Sequence, residues 1–535
     1  MGNLTSNLGK DQAHIGHYNS LLQQCVADVC HGRDNCYSHP NTWMLKNWDY
    51  QRDWVKPYNL EVPMKPLAVV RPINAIEVAM SVKCANDVDV KVQARSGGHS
   101  YGNLGLGGIA KRGGLMIDLT GLKDFKMDTD TWQASFGSGF RLGELDQQLH
   151  NHGARAIAHG TCPGVGVGGH ATVGGLGPMS RMWGSALDHV VEMEVVTADG
   201  SIVRASEKVN SDLFWAMRGA GASFGIVTEF VVKTHPEPGN VIDYSYSFNF
   251  GKQKDMAGIF KKWQKLIDDP EMDRRFSTQF IAQPLGAIIT GTFYGTQKEW
   301  EASGIQEQLP SGGKVNVTVS NWLGSLAHIG EVMLLHLSDT PSHFDSKSLA
   351  FRHEDMLSDS AVDDLFAYMG DTDAGTLLWT VIFNSEGGAM MDVPMDATAY
   401  PHRDKLMMYQ SYAINLGDMS DKTRGFVKGI HDKIQAGAPG AKTSYAGYID
   451  RSLARNAAQS FYWGDKVTKL RDIKKKWDPA DRFRNAQSID LGPQDEKRAA
   501  PVMFEEVNRV IFRWSIAKRE DEFGLRGLRG GWQPV

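Results

Sequence analysis

The sequence predicts a protein of the α+β class, and three patterns along its 535 residues support this prediction. Up to about residue 240, short β-prone runs alternate with helical patterns. Two glycine-rich stretches interrupt this alternation. Beyond residue 240, alternating strands and polar helices replace the glycine loops, which is typical of an antiparallel sheet that carries helices. The change of pattern and the length of the chain indicate at least two structural units.

The first elements follow an irregular, aromatic opening. Residues 66–100 predict a strand, a helix, a second strand and a loop; the helix follows Pro72 and has apolar residues at helical spacing, namely Ile76, Val78, Val82 and Ala85. The segments GGLMIDLTGL and WQASFGSGFRLGELDQQLHNHGA repeat this alternation. Further on, ALDHVVEMEVVTADGSIVRAS predicts a hairpin, because an Asp-Gly pair such as Asp199-Gly200 is a strong turn signal.

The last residues of the chain form a tail with one helical pattern. Met503, Val507, Val510, Ile511 and Trp514 have helical spacing, which predicts a docked amphipathic helix. The closing residues GLRGLRGGWQPV predict a loose end.

Composition excludes several classes of partner. The net charge of -5 comes from interspersed acidic and basic residues, so nucleic acid is not an expected partner. No apolar run has the length that a membrane span needs. The first residues lack the apolar segment of a secretory signal, although Gly2 and Ser6 fit a myristoylation pattern. The localisation stays open: we expect a secreted protein if a signal peptide was removed before this numbering, and an intracellular one otherwise.

Five cysteines are too few for a disulfide scaffold. Cys25, Cys30 and Cys36 lie near the start, whereas Cys84 and Cys162 stand alone. The odd number leaves at least one thiol without an intrachain disulfide. No C-x-x-C pair is present, so we expect no metal site.

The two glycine-rich stretches each contain one nucleophile. ARSGGHSYGNLGLGG holds His99, and HGTCPGVGVGGHATVGGLGPMSRMWG holds Cys162. The glycine spacing of the first stretch fits neither a P-loop nor G-x-G-x-x-G. A solvated histidine in a surface turn and a buried structural cysteine are the plain alternatives. Together, His99 and Cys162 suggest two nucleophiles that face one flat ligand.

Five motifs closely resemble the berberine bridge enzyme-like flavoproteins of the vanillyl-alcohol oxidase superfamily. They are RSGGHSY, HGTCPGVGVGGH, SDLFWAMRG, FGIVTEF and KKKWDPADRFRNAQSI. Within that family, HGTCPGVGVGGH and YPHRDKL are most similar to fungal oligosaccharide oxidases. The resemblance covers roughly residues 60–490, in the order and spacing of the family.

The resemblance implies a p-cresol methylhydroxylase-type FAD-binding domain of two α+β subdomains, plus a substrate domain with a large antiparallel sheet covered by helices. It divides the chain into an extension (1–59), the FAD-binding domain (60–238), the substrate-binding domain (239–461), a C-terminal segment that returns to the FAD-binding domain (462–490), and a helix with a tail (491–535).

The resemblance also implies FAD held by two covalent bonds, from His99 to the 8α-methyl carbon and from Cys162 to flavin C6. The glycines at 97 and 98 would let main-chain N–H groups approach the pyrophosphate. The other residues expected at the cofactor are Arg95, Ser96, Gly97, Gly98, Ser100, Gly160, Thr161, Val165, Gly166, Gly168, Gly169, His170, Gly174, Gly225, Ile226, Val227, Asn485 and Gln487.

Tyr448 aligns with the tyrosine that is the catalytic base of the family. A phenol has a pKa of about 10, so we expect a lowered pKa. The oligosaccharide oxidases have an aspartate beside this base, and here Asn384 aligns with it. Glu386 could replace the aspartate if its loop shifts, although we expect a solvated loop position. Gly447 stands where an asparagine usually precedes the base, so substrate class and base strength both stay open.

The resemblance implies roles for four residues around this base. Tyr101 is expected to line the pocket, and Gln410 and Tyr445 are expected substrate contacts, although strand residues can point to either face. Val165 stands where the family controls access of O2 to the flavin, and valine there is typical of oxidases.

The implied activity is that of an oxidase that transfers a hydride to FAD and returns the electrons to O2, with release of hydrogen peroxide. The first candidate substrate is an oligosaccharide, whose C1 hydroxyl becomes a lactone. The alternatives are a secondary-metabolite oxidase, for alcohol oxidation or ring closure, and a flavoprotein with little turnover that acts as a binder. We expect a monomer with a small-molecule or oligosaccharide substrate. The family further implies a disulfide between Cys25 and Cys84, after which Cys30 and Cys36 could pair.

Overall fold

The structure is a computed structural model that describes residues 19–40, 49–108, 113–249, 253–334 and 340–492, with no side chain described for 330–334. The predicted tail helix at 503–514 lies outside the described residues. In the part of the chain that the structure describes, no helix is long and apolar enough to cross a membrane.

A four-stranded sheet forms the start of the described chain. Its order is β1-β2-β4-β3, with β2, β4 and β3 parallel and β1 antiparallel. The sequence suggested an irregular start and missed the helix α1. In α2, Val78, Val82 and Ala85 are buried, but Ile76 is 64% exposed and lies off the apolar face. The elements are α1 (19–29), β1 (Tyr37–Ser38), β2 (Ala68–Val70), α2 (Ala75–Asp87), β3 (Val92–Arg95) and β4 (Leu115–Asp118).

A five-stranded antiparallel sheet follows, in the order β5-β6-β10-β8-β9. The predicted hairpin at Asp199-Gly200 is confirmed, because β8 pairs with β9 and Gly200 has a φ of +77°. The elements are β5 (Phe125–Asp128), β6 (Gln133–Gly137), α3 (Leu142–Asn151), β7 (Arg155–Ala156), α4 (Val167–Val173), α5 (Ser180–Trp183), α6 (Ala186–His189), β8 (Val190–Val196), β9 (Ile202–Ser206), α7 (Ser211–Ala220), β10 (Ile226–Lys233) and β11 (His235–Pro236).

The second half of the chain contains a seven-stranded antiparallel sheet, as predicted, in the order β15-β12-β14-β13-β17-β18-β16. The elements are β12 (Val241–Phe248), α8 (Ala257–Ile267), β13 (Gln279–Gln283), β14 (Gly286–Phe293), α9 (Gln297–Ala302), α10 (Ile305–Gln308), β15 (Lys314–Ser320), α11 (Trp322–Leu334), β16 (His343–Phe351), α12 (Asp359–Asp371), β17 (Leu378–Ser385), β18 (Met407–Asn415) and α13 (Asp421–Gly437).

One face of this sheet packs against helices, and the other carries polar residues. Phe383 and Tyr409 belong to the aromatic core that includes Phe260 of α8. Since neighbouring residues of a strand point to opposite faces, Asn384 and Gln410 lie on the face away from these helices. This face supplies residues to the site described below.

The C-terminal segment packs against the first half of the chain through α14 (Arg455–Trp463), α15 (Val467–Trp477) and the residues after them. The main-chain N–H of Val92 in β3 donates to the Arg482 oxygen at 2.9 Å. The ammonium group of Lys474 donates to the Ser223 oxygen at 2.6 Å. These contacts join the C-terminal segment to the first half of the chain. The domain boundaries given above stay predictions.

Candidate functional site

The loop after β3 contacts the start of α4, and glycine permits this contact. A Cβ atom on Gly97 would lie 2.2 Å from the nitrogen of Gly166, and one on Gly166 would lie 1.9 Å from the nitrogen of Gly97. The hydroxyl of Ser96 donates to the Ser138 oxygen at 2.7 Å and accepts from the Gly168 N–H at 3.3 Å. The close approach brings the His99 loop against the Cys162 loop.

A long pocket runs between these two loops, with His99 and Cys162 on its wall. Most of the residues expected at the cofactor also line it. These are Arg95, Ser96, Gly97, Gly98, Ser100, Gly160, Thr161, Val165, Gly166, Gly168, Gly169, His170, Gly225, Ile226, Val227 and Asn485.

Two of the expected cofactor residues lie away from the wall of this pocket. Gly174 lies under two aromatic rings, because its Cβ would be 2.7 Å from the Tyr445 ring and 3.0 Å from the Tyr400 ring. The side-chain amide of Gln487 donates to the main-chain oxygens of Asp450 and Leu453, at 2.7 and 3.1 Å. Gln487 therefore holds a loop together instead of lining the cavity.

The residues of the pocket fit FAD. The His99 ring stacks on the Tyr58 ring, with 4.7 Å between centroids and 30° between planes. Cys162 is half-buried, and the other four cysteines form two disulfides, Cys25–Cys84 and Cys30–Cys36. An imidazole and a thiol thus share one cavity whose wall includes Gly169, where a Cβ would meet no atom within 4 Å. Such a wall has room for a flat ring system within reach of two nucleophiles.

Two histidines support the loop that carries Cys162. His170 accepts a hydrogen bond from the Gly160 N–H at 2.8 Å, and burial lowers the pKa of His170 to about 3, so that it stays neutral. His159 lies 2.7 Å from an oxygen of Asp146. Burial opposes a charge on His159, but the carboxylate outweighs burial and raises its pKa. The sequence reasoning missed His159 and Asp146, because they meet only through packing of two separate elements.

Tyr448 lies in a turn at residues 446–448 and not in a strand, and Tyr445 precedes the same turn. The main-chain N–H of Tyr448 donates to the Tyr445 oxygen at 2.9 Å, and the two rings meet edge to face at 5.1 Å. The expectation of a lowered pKa is wrong for this arrangement, because burial raises the pKa of Tyr448 well above 10. Tyr448 therefore keeps its proton at neutral pH unless a partner accepts it.

A chain of hydroxyl and amide groups connects Tyr101 with Tyr448. The hydroxyls of Tyr101 and Tyr412 are hydrogen-bonded, and Tyr412 donates to the side-chain oxygen of Gln410. The Gln410 amide lies beside the Tyr448 hydroxyl and lowers its pKa, although less than burial raises it. The sequence reasoning missed Tyr412, although its position two residues after Gln410 places it on the same face of β18.

The candidate residues Gln410 and Tyr445 both line the long pocket. The hydroxyl of Tyr445 accepts a hydrogen bond from the Gly175 N–H at 2.9 Å. Val165 lines the same pocket, and its N–H donates to the Cys162 oxygen at 3.1 Å.

A second, smaller pocket adjoins the first beside the seven-stranded sheet. Both have walls formed by Thr161, Leu176, Gln410 and Tyr448. Asn384 lines only the second pocket, so the structure brings it to the Tyr448 side of the site.

Two residues near Tyr448 have surroundings that the sequence did not reveal. Glu386 lines the second pocket and is 6% exposed, so the expectation of a solvated loop glutamate is wrong. Gly447 lies against Tyr445, because a Cβ at 447 would lie 2.3 Å from that ring. An asparagine at this position would require Tyr445 to move, which accounts for the glycine.

Comparison with known proteins agrees with this geometry. Residues 66–206 match the family described as "FAD binding domain", and residues 444–490 match the one described as "Berberine and berberine like". The FAD-linked oxidoreductase sorD of Penicillium rubens is 38% identical over 81% of this chain and 92% of its own length. The carbohydrate oxidase of Microdochium nivale is 34% identical over 82% and 91% of the two chains.

Solved structures give the same relationship. A chitooligosaccharide oxidase superposes with a TM-score of 0.78 at 28% identity, over 88% of this chain and all of that chain. The glucooligosaccharide oxidase of Acremonium strictum, in which a novel flavinylation was found, has a TM-score of 0.78 at 29% identity, over 88% of this chain and 98% of that chain.

Proposed function

The chain belongs to the berberine bridge enzyme-like family of FAD-linked oxidoreductases, and on this basis we propose that it is an oxidase that holds FAD through His99 and Cys162 and oxidises a hydroxyl group of an oligosaccharide. The observation that carries the proposal is one pocket with His99, Cys162 and Tyr448 on its wall. Two nucleophiles and one proton acceptor on a common cavity are the groups that this activity requires.

In this proposal, His99 and Cys162 form the covalent bonds to FAD. When bound, FAD accepts a hydride from the substrate carbon and passes the electrons to O2, which is released as hydrogen peroxide. The stacking of His99 on Tyr58 supports the proposal, because it holds the imidazole ring in one orientation. Main-chain groups at Gly97 and Gly98 would bind the pyrophosphate, and Val165 would leave access for O2 beside Cys162.

Proton removal is the task of Tyr448. It takes the proton of the substrate hydroxyl while the hydride leaves the neighbouring carbon. The Gln410 amide holds the Tyr448 hydroxyl, and the parallel Tyr101 ring restricts where the phenol can turn. This arrangement supports a base whose position is set before the substrate arrives.

The polar walls of the second pocket support a sugar as substrate. Gln279, Thr290 and Thr292 line it together with Asn384 and Gln410. Hydroxyl and amide groups of this kind donate and accept hydrogen bonds, as sugar hydroxyls do. The proposed product is the lactone formed by oxidation at C1.

A secondary-metabolite oxidase is the second candidate, and Asn384 is the observation that favours it. An amide beside Tyr448 can hydrogen-bond the phenol but supplies no charge. Gly447, held against the Tyr445 ring, is a second difference from the sugar oxidases on the same side of the site. Both residues affect where a substrate hydroxyl would lie relative to the base.

The test is aerobic hydrogen peroxide release from a substrate panel, with Tyr448→Phe as the control. The panel contains cellobiose, xylobiose, chitobiose and lactose, together with aromatic and terpenoid alcohols. Peroxide from one of the sugars, absent in Tyr448→Phe, is the expected result. Peroxide only from the other alcohols would select the second candidate. No peroxide from any panel member, in a protein whose photoreduced flavin reoxidises in air, would contradict the proposal and favour a binding protein.

A further inference from the structure

The two outer strands of the seven-stranded sheet differ in how they are covered. β16 is largely buried, and the main-chain N–H of its Ala350 donates to the Thr443 oxygen at 2.9 Å. β15, at the opposite edge, is exposed along residues 314–319, and among the residues that the structure describes no strand pairs with its outer side. β15 therefore presents a free row of main-chain N–H and C=O groups.

β15 lacks most of the features that keep an edge strand from pairing with another strand. It pairs with β12 over seven residues without a bulge, it contains no proline, and Lys314 at its start is its only charged residue. Val315, Val317 and Val319 are 51%, 42% and 49% exposed, and they lie on one face because the side chains of a strand alternate. A long, flat edge with exposed valines favours self-association.

Two copies of β15 match each other when they pair antiparallel about Val317. In this register Val315 lies opposite Val319 of the second copy, and the valines of both copies share one face. Asn316 of each copy then lies opposite Thr318 of the other copy, on the other face. The free edge would thus form a symmetric dimer unless something obstructs it.

The centre of β15 is an acceptor sequence for N-linked glycans, Asn316-Val317-Thr318. Asn316 and Thr318 are both exposed, and no described residue forms a hydrogen bond with either side chain. The sequence has one other such site, at Asn3, which lies outside the described residues. The disulfides Cys25–Cys84 and Cys30–Cys36 are typical of an oxidising compartment, in which N-linked glycans are also attached.

We propose that Asn316 carries an N-linked glycan, and that this glycan keeps the free edge of β15 from pairing with a second copy of the chain. The co-reactant is an oligosaccharide joined to a lipid diphosphate. The side-chain nitrogen of Asn316 forms a bond to the anomeric carbon, the bond from this carbon to the diphosphate oxygen breaks with its electron pair, and one amide proton passes to a base of the transferase. Nothing is oxidised or reduced. The modification does not depend on the function proposed above.

A glycan on Asn316 obstructs the pairing for a geometric reason. A strand added to the edge would lie about 4.8 Å from β15. The Cβ atom of the residue opposite Asn316 would lie about 5 Å from the Cβ atom of Asn316. The first sugar of the glycan occupies this space. In the symmetric register the opposite residue is Thr318 of the second copy, so each copy obstructs the other.

Peptide mapping of the protein purified from the organism that produces it tests the modification. Peptide N-glycosidase in heavy-oxygen water converts a glycosylated asparagine into a labelled aspartate, and we expect this label at Asn316. In a eukaryotic host that secretes the full chain behind a leader, Asn316→Gln and Thr318→Val should lose the glycan. Thr318→Ser is the matched control, because it keeps the required hydroxyl and should retain the glycan. No label at Asn316 in the native protein would overturn the inference.

Size-exclusion chromatography with light scattering, over a series of protein concentrations, tests the protective role. Asn316→Gln should dimerise at a concentration about tenfold or more below that of glycosylated wild type. Asn316→Lys also lacks the glycan but places a charge on the edge strand, so it should associate no more than wild type and Thr318→Ser do.

Two results would overturn the protective role even with the glycan present. One is a Asn316→Gln variant that associates no more than wild type. The other is equal association of Asn316→Gln and Asn316→Lys, since it would assign the contact to a different surface. If Asn316→Gln does not fold, enzymatic removal of the glycan from folded wild type takes its place, and unchanged association after the removal would overturn the role.

Discussion

The Tyr101 ring lies parallel to the Tyr448 ring, with 6.4 Å between centroids and 7° between planes. Tyr101 is two residues after His99, in the loop that would carry one FAD bond, and Tyr448 is the proposed base. The contact therefore joins the loop that contains His99 to the turn that contains Tyr448.

We predict that Tyr448→Phe slows flavin reduction by about 10²- to 10⁴-fold, the usual effect of removing a general base. The ring packing stays, so substrate binding should change much less, and reoxidation by O2 should be nearly normal. Anaerobic stopped-flow measures both half-reactions. Tyr101→Phe is the matched control, because it removes a hydroxyl that is hydrogen-bonded to Tyr412 but keeps the stacked ring. It should slow flavin reduction less than Tyr448→Phe does. Near-normal reduction in Tyr448→Phe would assign the base to another residue.

Acid-precipitated protein should stay yellow, because His99 and Cys162 line one pocket. His99→Ala and Cys162→Ala should each retain FAD through the remaining residue, whereas the double variant should release it. Mass spectrometry of each intact variant shows whether FAD is covalently bound, because bound FAD adds its own mass to that of the protein. A colourless pellet from wild type, with free FAD in the supernatant, would contradict both covalent bonds.

Gly166→Ala should lower the free energy of unfolding by about 3 kcal/mol or more, since the added Cβ would meet the Gly97 nitrogen at 1.9 Å and main-chain atoms cannot move aside cheaply. Thermal unfolding of the holoenzyme measures the effect. Gly425→Ala in the exposed face of α13 is the control: its Cβ meets no atom within 4 Å, and alanine should stabilise that helix by about 0.5–1 kcal/mol. Equal melting temperatures for the two variants would show that the loop contact is looser than described.

The two disulfides should differ in their effect on stability. Cys25 and Cys84 are separated by 59 residues, and Cys30 and Cys36 by 6 residues. Chain entropy predicts a loss of about 4 kcal/mol when the first pair is changed to serine and about 2 kcal/mol for the second. Chemical denaturation measures both losses, and non-reducing peptide mapping checks the pairing. A larger loss for the short loop would mean that packing around Cys30, and not loop closure, dominates.

Stability should fall as the pH drops below about 6.5, the ordinary pKa of histidine. Burial lowers the pKa of His189 and of His402 to about 3. Below the ordinary histidine pKa, these two side chains therefore bind protons in the unfolded chain but stay neutral in the folded chain. The two histidines contribute fully to the free energy of unfolding at pH values above their pKa in the unfolded chain. This contribution is lost as the pH falls towards about 3, their pKa in the folded chain. Melting temperatures at about pH 7 and about pH 5 measure this loss. His402→Leu should show a smaller decrease than wild type, and an equal decrease would exclude His402 as a cause.

The sequence by itself determined the family, the fold class and most of the residues that line the long pocket. Its motifs are contiguous, so RSGGHSY and HGTCPGVGVGGH identify His99 and Cys162 without knowledge of any contact. The hairpin at Asp199-Gly200 and the alternating strands after residue 240 were also predictable, because turn preference and side-chain alternation are local properties of the chain. The same local reasoning missed α1 and placed Ile76 on a buried face.

Only the tertiary structure decided which side chains meet at Tyr448. The phenol–amide chain through Tyr412, the support of the Cys162 loop by His159, and the position of Glu386 in the second pocket all depend on contacts between elements far apart in sequence. The direction of the Tyr448 pKa shift followed from those contacts too, since burial and neighbouring charges set ionisation and neither can be read from residue spacing. Local patterns report the path of the chain, whereas the surroundings of a buried group are fixed only when distant segments pack.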